Sequence, residues 1–268
     1  MTGSPFAVET PAAEVSAAEV SAAAGPGPTA TYLVDPLAPA PHRVSERGRP
    51  ARSILTWRGR RGRMSATKWR ALEEILPRFD IGLAAPTYGS PIDHSTVPRL
   101  TIGSRQLVLE VGSGMGDATV ELASRQPELD VIACEPHLAG VARLCRILAD
   151  EGIGNVRIHP GDALDVLDAL PDQSLTVLRA FFPDPWPRNR HHIKRLVQPS
   201  FEKTAGRVLV PGGVVHLATD VDDYAVQMGE VFGQWAVVEP PFRPETKFER
   251  IGREAGRTIV DLAYRRHP

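Results

Sequence analysis

Through the second half of this chain, short apolar runs alternate with helically spaced ones. Strands are predicted at residues 106–111, 131–134, 156–158, 175–182 and 214–219. Helices fall between and after them, at 117–125, 138–148, 163–170, 199–205 and 221–232. In the second of these, Leu138, Val141, Leu144, Cys145 and Leu148 share one face. Parallel strands need a crossover, and helices of this length supply one, so the pattern predicts an α/β fold with a mostly parallel sheet. Two closing strands, 236–239 and 258–264, follow the last helix and are joined by a long polar connection. They predict an antiparallel strand at one sheet edge.

Upstream of the alternation the chain changes character twice. Residues 1–42 are rich in Ala, Pro, Gly, Ser and Glu and contain no Lys or Arg. Such a segment buries too little apolar area to offset chain entropy, so a disordered tail is expected. Between Arg43 and Arg70 stand ten basic residues against one acid, Glu46. A clustered basic stretch is the footprint of a polyanion partner, although a solvated Arg-rich tail accounts for it equally well. Ser65 is placed to cap a helix through Trp69, Leu72, Ile75 and Leu76, which Pro77 ends. Residues 80–99 read as loop. The overall net charge of -1 decides nothing by itself.

Cys134 in a strand and Cys145 on a helix are expected to be core thiols, which fits a reducing cytosol. No 18-residue apolar run points to a membrane span, and the N-terminus lacks the basic and apolar regions of a secretory signal. A cytoplasmic protein is expected.

The first strand runs into Gly112-Ser113-Gly114-Met115-Gly116. These glycines allow a tight turn and close approach of a ligand. The spacing lacks the third glycine position of the dinucleotide fingerprint, and no Walker-type Gly-Lys-Ser/Thr follows. Glu110 beside this turn repels a pyrophosphate but suits a cofactor carrying an ammonium group. Glu135, at the end of the second strand, is placed to accept both hydroxyls of a ribose. Asp162, after the third, is placed to accept from an adenine amino group. Each acid taken alone also reads as a helix cap, Asp162 especially. Three acids at successive strand ends are harder to explain that way.

The fourth strand delivers Phe181-Phe182-Pro183-Asp184-Pro185-Trp186 and then a basic run with Arg188, Arg190, His191, His192, Lys194 and Arg195. Two prolines forbid continuation of strand or helix, so Asp184 and Trp186 project from a stiff turn where open α/β sheets bind ligands. Trp186 either stacks on a base or packs the turn. His191 and His192 lack the partners of a metal site, and no metal is expected.

Leu109-Glu110-Val111-Gly112-Ser113-Gly114-Met115-Gly116, Glu135-Pro136-His137, Phe182-Pro183-Asp184-Pro185-Trp186, Ala218-Thr219-Asp220 and Thr246-Lys247-Phe248-Glu249 follow one another in an order and spacing that resembles the bacterial tRNA (guanine-N7)-methyltransferases. The resemblance covers about residues 52–266. It implies a Rossmann-like class I methyltransferase fold over 101–268. The basic arm and helix of 43–100 would pack on that domain, and 1–42 would form the tail. It implies S-adenosyl-L-methionine as cofactor, held by Glu110, Gly112, Gly114, Gly116, Glu135, Asp162 and Asp184. It further implies tRNA as partner, with Arg188, Asp220, Thr246, Lys247, Phe248 and Glu249 on the substrate and the guanosine at position 46 of the variable loop as acceptor. The family commonly has Lys where this chain has Arg188, and Arg holds a phosphate bidentately.

The chemistry is also accessible from the residues. Guanine N7 carries an in-plane lone pair and no proton, so methyl transfer to it needs no general base. Positioning and stabilisation of the charge arriving on the base are what remain. Asp184 is the central catalytic candidate, either accepting from the guanine edge or orienting the cofactor ammonium. A methyltransferase of the same fold acting on another acceptor, and a catalytically silent RNA-binding module, are the alternatives. A monomer or weak homodimer is expected.

Overall fold

A computed structural model describes Thr56 and residues 64–82 and 106–267. The tail of residues 1–42, most of the basic arm and most of the 80–99 loop lie outside the described residues. Helix α1 (Ala66–Glu74) begins at Ser65, whose hydroxyl accepts from the Lys68 amide at 3.4 Å. A 3-10 turn at Leu76–Arg78, with Pro77 inside it, ends the segment.

The alternating region folds as β1 (Leu107–Val111), α2 (Asp117–Arg125), β2 (Asp130–Cys134), α3 (Leu138–Asp150), β3 (Val156–His159), α4 (Ala163–Ala169) and β4 (Leu175–Phe181). After a 3-10 segment at Asn189–Lys194 come α5 (Pro199–Val208), β5 (Leu209–Thr219), α6 (Asp222–Val231), β6 (Ala236–Val237), α7 (Lys247–Glu254) and β7 (Val260–Arg265). The seven-stranded sheet has the order β3-β2-β1-β4-β5-β7-β6. The first five strands pair in parallel, and β7 joins β5 antiparallel, as the closing strands implied.

Side chains alternate across the sheet with period two, and each face has its own core. Leu109, Ile132, Leu178, Val215 and Leu217 pack under α4, α5 and α6 with Leu167, Phe201, Tyr224 and Phe232. Val108, Val131, Ala133 and Ile158 pack under α2 and α3 with Leu122, Val141, Leu144 and Leu148. Cys134 is buried in the first of these cores and Cys145 in the second. Burial pushes the Cys145 thiol up to about 12 and the Cys134 thiol well above its ordinary value, so neither is ionised at neutral pH.

The structure departs from the sequence reading at the C-terminal edge. Strand β5 begins at Leu209, five residues before the predicted strand 214–219, and Pro211-Gly212-Gly213 is an irregularity inside it. The pairing jumps from Leu175↔Leu209 to Val177↔Val214, so three extra residues of β5 bulge out where Gly212 takes φ 79°. The predicted strand 236–239 shrinks to a two-residue edge strand. The long polar connection contains a helix, α7. Thr246 caps it, its hydroxyl accepting from the Glu249 amide at 3.1 Å. The Thr-x-x-Glu spacing is a capping-box signature, and it is visible in the sequence.

Candidate active site

Cross-strand register lines up the carboxyl ends of five strands. Val111 pairs with Cys134 and Ala180, Cys134 with His159, and Ala180 with Leu217. The residues just beyond that row therefore share one rim: Gly112, Glu135, Asp162, Phe182 to Asp184, and Asp220. Strand order reverses between β1 and β4, and open α/β sheets bind ligands in the crevice at such a point. Of the four predicted acids, Glu135, Asp162 and Asp184 follow the ends of their strands, whereas Glu110 stands one residue before the end of β1; each is held differently.

Glu110 is buried at 3% exposure on the α2 face of β1. Its Oε2 accepts from the Thr119 hydroxyl at 3.0 Å and lies 3.8 Å from the Arg179 guanidinium on β4. Glu135 organises the glycine turn. One carboxylate oxygen accepts from the Gly114 amide at 2.7 Å, while the other accepts from the His137 amide at 2.7 Å and meets His137 Nδ1. The amides of Gly112 and Ser113 donate to Cys134 O at 2.9 and 3.0 Å. Gly112 and Gly114 have φ of 74° and 58°, and a Cβ added at either would meet nothing within 4 Å. Behind the turn there is no slack, since a Cβ on Gly140 would come 2.1 Å from Gly114 O. Asp162 caps α4, accepting from the Leu164 amide at 3.0 Å, the structural role anticipated for it.

Asp184 rides the stiff turn after β4. The residues flanking the Pro-Asp-Pro triplet, Phe182 and Trp186, both take left-handed backbone conformations, with φ of 51° and 44°. Bulky residues pay for that region in steric strain, and such strain concentrates at functional sites. The indole N–H of Trp186 donates to Thr56 O at 3.2 Å, and the Lys194 ammonium sits 4.7 Å above its ring. Trp186 is thus packed into the turn and joins it to Thr56 in the basic arm.

The substrate-side candidates divide. Arg188 stands exposed at the start of the 3-10 segment. Asp220 accepts from Arg257 Nε at 2.7 Å, and α7 packs close to it at Gly252. Within Thr-Lys-Phe-Glu, Thr246 and Glu249 turn inward, whereas Lys247 is exposed and Phe248 is 45% exposed. Phe248 therefore does not fill the core. It lies on the outer side of an amphipathic helix whose inner side anchors Glu249. Glu249 is buried between Arg243 and Arg253. Burial favours its neutral form, but the two guanidiniums outweigh this and hold its carboxyl below the ordinary range.

Sequence reasoning missed a polar network on the same sheet face. Arg179 lies over the Phe181 ring at 4.7 Å, His216 meets that ring edge-on at 4.8 Å, and His216 Nε2 lies 2.6 Å from Asp261. Arg243 Nε donates to the other Asp261 oxygen at 2.5 Å, and the same guanidinium spans to Glu249. The network runs beneath the residues that lead into the Asp184 turn. A charge or imidazole inside an apolar strand, as at Arg179 and His216, was the available signal. Arg243 gave none.

An adenosyl ligand carrying an amino acid fits this rim. The open space beside Gly112 and Gly114, the acids at four strand ends and the buried Ser113 hydroxyl, which has no hydrogen-bond partner among the described residues, match a cationic, polar, non-phosphorylated group. Among the described residues, no group of three His, Cys, Asp or Glu could hold a metal, and no helix is long and apolar enough to cross a membrane. Fold and rim together define a class I S-adenosylmethionine-dependent methyltransferase. The 16S rRNA methyltransferase KamB shares the fold at a TM-score of 0.50 and 15% identity, over 70% of this chain and 99% of that one.

Residues 104–262 match the family described as "Putative methyltransferase". The tRNA (guanine-N(7)-)-methyltransferase of Chromohalobacter salexigens is 39% identical over 241 residues, 85% of this chain and 95% of the relative. That of Alkalilimnicola ehrlichii is 40% identical over 233 residues, covering 82% and 95%. This chain belongs to the tRNA (guanine-N7)-methyltransferase family.

Proposed function

We propose that this enzyme methylates N7 of the guanosine at position 46 in the tRNA variable loop, with Asp184 as the residue that meets the reacting partners. The observation that supports the reading is the glycine turn, Glu135, Asp162 and Asp184 following the carboxyl ends of β1 to β4 at the switch point of the sheet, with Glu110 buried just behind the turn. The identity to tRNA (guanine-N(7)-)-methyltransferases over more than four-fifths of the chain supports the acceptor.

S-adenosylmethionine, when bound, supplies an electrophilic methyl on a cationic sulfur. Gly112 and Gly114 would let the backbone approach it, Glu135 and Asp162 would receive its ribose and adenine ends, and Glu110 would stand behind its ammonium end, while Gly116 makes room for Leu144 of α3. Asp184 faces two cationic demands. Its carboxylate orients the donor's ammonium or accepts from N1–H and N2–H of the guanine, and in either case it favours the positive charge arriving on the base. No proton leaves N7, so no base is required. Arg188, Lys247 and Phe248, all exposed, present two cations and an aromatic ring to the RNA, while Asp220, Thr246 and Glu249 shape the surface beneath them. Two buried, unpaired cysteines fit a reducing cytoplasm.

The test is mass spectrometry of tRNA incubated with pure protein and cofactor. 7-Methylguanosine is expected at the variable-loop position and none when that base is adenosine; equal transfer to both would overturn the acceptor. Asp184→Ala is expected to lower turnover by about 10²–10³-fold, the usual effect of removing one preorganised electrostatic stabiliser. Near-normal turnover in that variant removes Asp184 from the chemistry.

A further inference from the structure

We infer that Arg195 is a positioning residue that sets the Asp184 turn relative to the Asp220 edge of the site. The inference rests on the reading of Asp184 given above. The turn cannot hold itself. Pro183 and Pro185 have no N–H to donate, and the backbone on each side is left-handed at an aromatic residue, Phe182 and Trp186. A strained segment persists only when its surroundings over-determine it. Upstream, the Phe182 amide donates to Ala218 O on β5 at 2.7 Å. Downstream, Arg195 Nε donates to Pro185 O at 2.8 Å.

The Arg195 guanidinium is 1% exposed and every nitrogen has a partner. Nη1 donates to Gln227 Oε1 at 2.9 Å and Nη2 to Asp223 Oδ2 at 2.7 Å, while the Tyr224 ring lies 4.7 Å from Cζ. All three partners come from one helix, α6, which begins two residues after Asp220. That helix is in turn fixed to the segment after Arg195. Gln227 Nε2 donates to Val197 O at 2.8 Å, and the Val197 amide donates to Tyr224 Oη at 3.1 Å. The guanidinium is thus bolted to α6 with Nε aimed at the Asp184 turn. Two acids from different strands, Asp184 and Asp220, become parts of one rigid unit. Stability alone is a poor reason for this arrangement, because taking a guanidinium out of water often gains nothing over apolar packing of similar volume, and its carboxylate partner Asp223 stays exposed. Lysine does not reproduce it, having one nitrogen and no planar fork.

The experiment uses the full-length protein with S-adenosylmethionine and unmodified tRNA. Active sites are counted by titration with S-adenosylhomocysteine, so that kcat is expressed per competent site. Arg195→Lys is expected to leave KM for both substrates near wild type and to lower kcat per site by up to about 100-fold, the penalty for misplacing a reacting group by an ångström. Wild-type kcat per site, with any lost activity accounted for by fewer sites, would mean that Arg195 only supports the fold. If Arg195→Lys does not fold, Gln227→Met loosens the same guanidinium from a half-buried position. A smaller fall in kcat with unchanged KM supports the inference, and unchanged kcat overturns it. Asp184→Asn is the control. Full activity there sinks the reading of Asp184 and this inference with it, whereas an inactive Asp184→Asn beside a fully active Arg195→Lys sinks the inference alone.

Discussion

His216 lies in the middle of an apolar strand at 1% exposure, and its surroundings make stability depend on pH. Burial lowers its pKa from 6.5, with Arg179 and Arg243 adding to the effect and Asp261 opposing it. The unfolded chain therefore binds the proton more tightly. Stability is lost as pH falls below about 6.5 and levels off once pH passes the lowered folded value. The carboxyls of Asp261 and Glu249 are held down by their cationic partners, so their contribution is present above the ordinary carboxylate range and lost as pH falls through it. Both effects have the same sign. The melting temperature is expected to drop in two stages on acidification, and His216→Gln should flatten the upper stage alone, as scanning calorimetry from pH 7 to 4 would read. An unchanged upper stage in that variant would place the titration elsewhere. Single residues were legible where local sequence fixes their place, as with the acids that follow the ends of β2, β3 and β4. Arg195, Arg243 and Asp261 were not, because each owes its role to partners distant in sequence.

Elements carry the cofactor side of the site. The glycine turn is clamped between Glu135 and α3, with Gly140 directly behind it. Alanine at 140 would gain up to about 1 kcal/mol of helix propensity, yet its Cβ cannot occupy a position 2.1 Å from Gly114 O. Gly140→Ala is expected to displace the turn. A displacement worth ~1.4 kcal/mol weakens binding about tenfold, readable as the Kd of S-adenosylhomocysteine by calorimetry. Retained affinity would show that the turn does not cradle the ligand. At the opposite end of the rim, Thr246→Ala should cost about 1 kcal/mol through loss of the α7 cap. It should also raise KM for tRNA more than KM for the cofactor, because α7 carries Lys247 and Phe248. Equal changes in the two would detach α7 from RNA recognition. The first five strands and their crossover helices were readable from period and length, since each is fixed by its own side chains. Helix α7 was hidden by its polarity. Its inner face is anchored by a buried carboxylate between two arginines, not by the apolar stripe that periodicity detects.

At the scale of the whole molecule the net charge is -1, so RNA affinity must come from local basic surface. Arg188 and Lys247 stand exposed on described elements, and Arg58 to Arg63 lie in the arm that continues beyond Thr56. If these groups meet phosphates, each neutralised residue should lower the slope of log K against log salt by about 1. Filter binding across a salt series checks this for Arg188→Gln, Lys247→Gln and charge reversal over Arg58 to Arg63. An unaltered slope removes that residue from the contact surface. Along the chain, hydrophobic period and turn chemistry were enough to determine the α/β alternation, the antiparallel edge and the succession of acids at strand ends, because these depend on neighbours a few residues away. Tertiary structure alone decided which acids are already committed to protein partners, how far Phe248 stands out, and that a guanidinium anchored on α6 reaches back to the Asp184 turn. Those outcomes rest on register between strands and on the burial of charges brought together from segments tens of residues apart, and no local pattern encodes a contact across that distance.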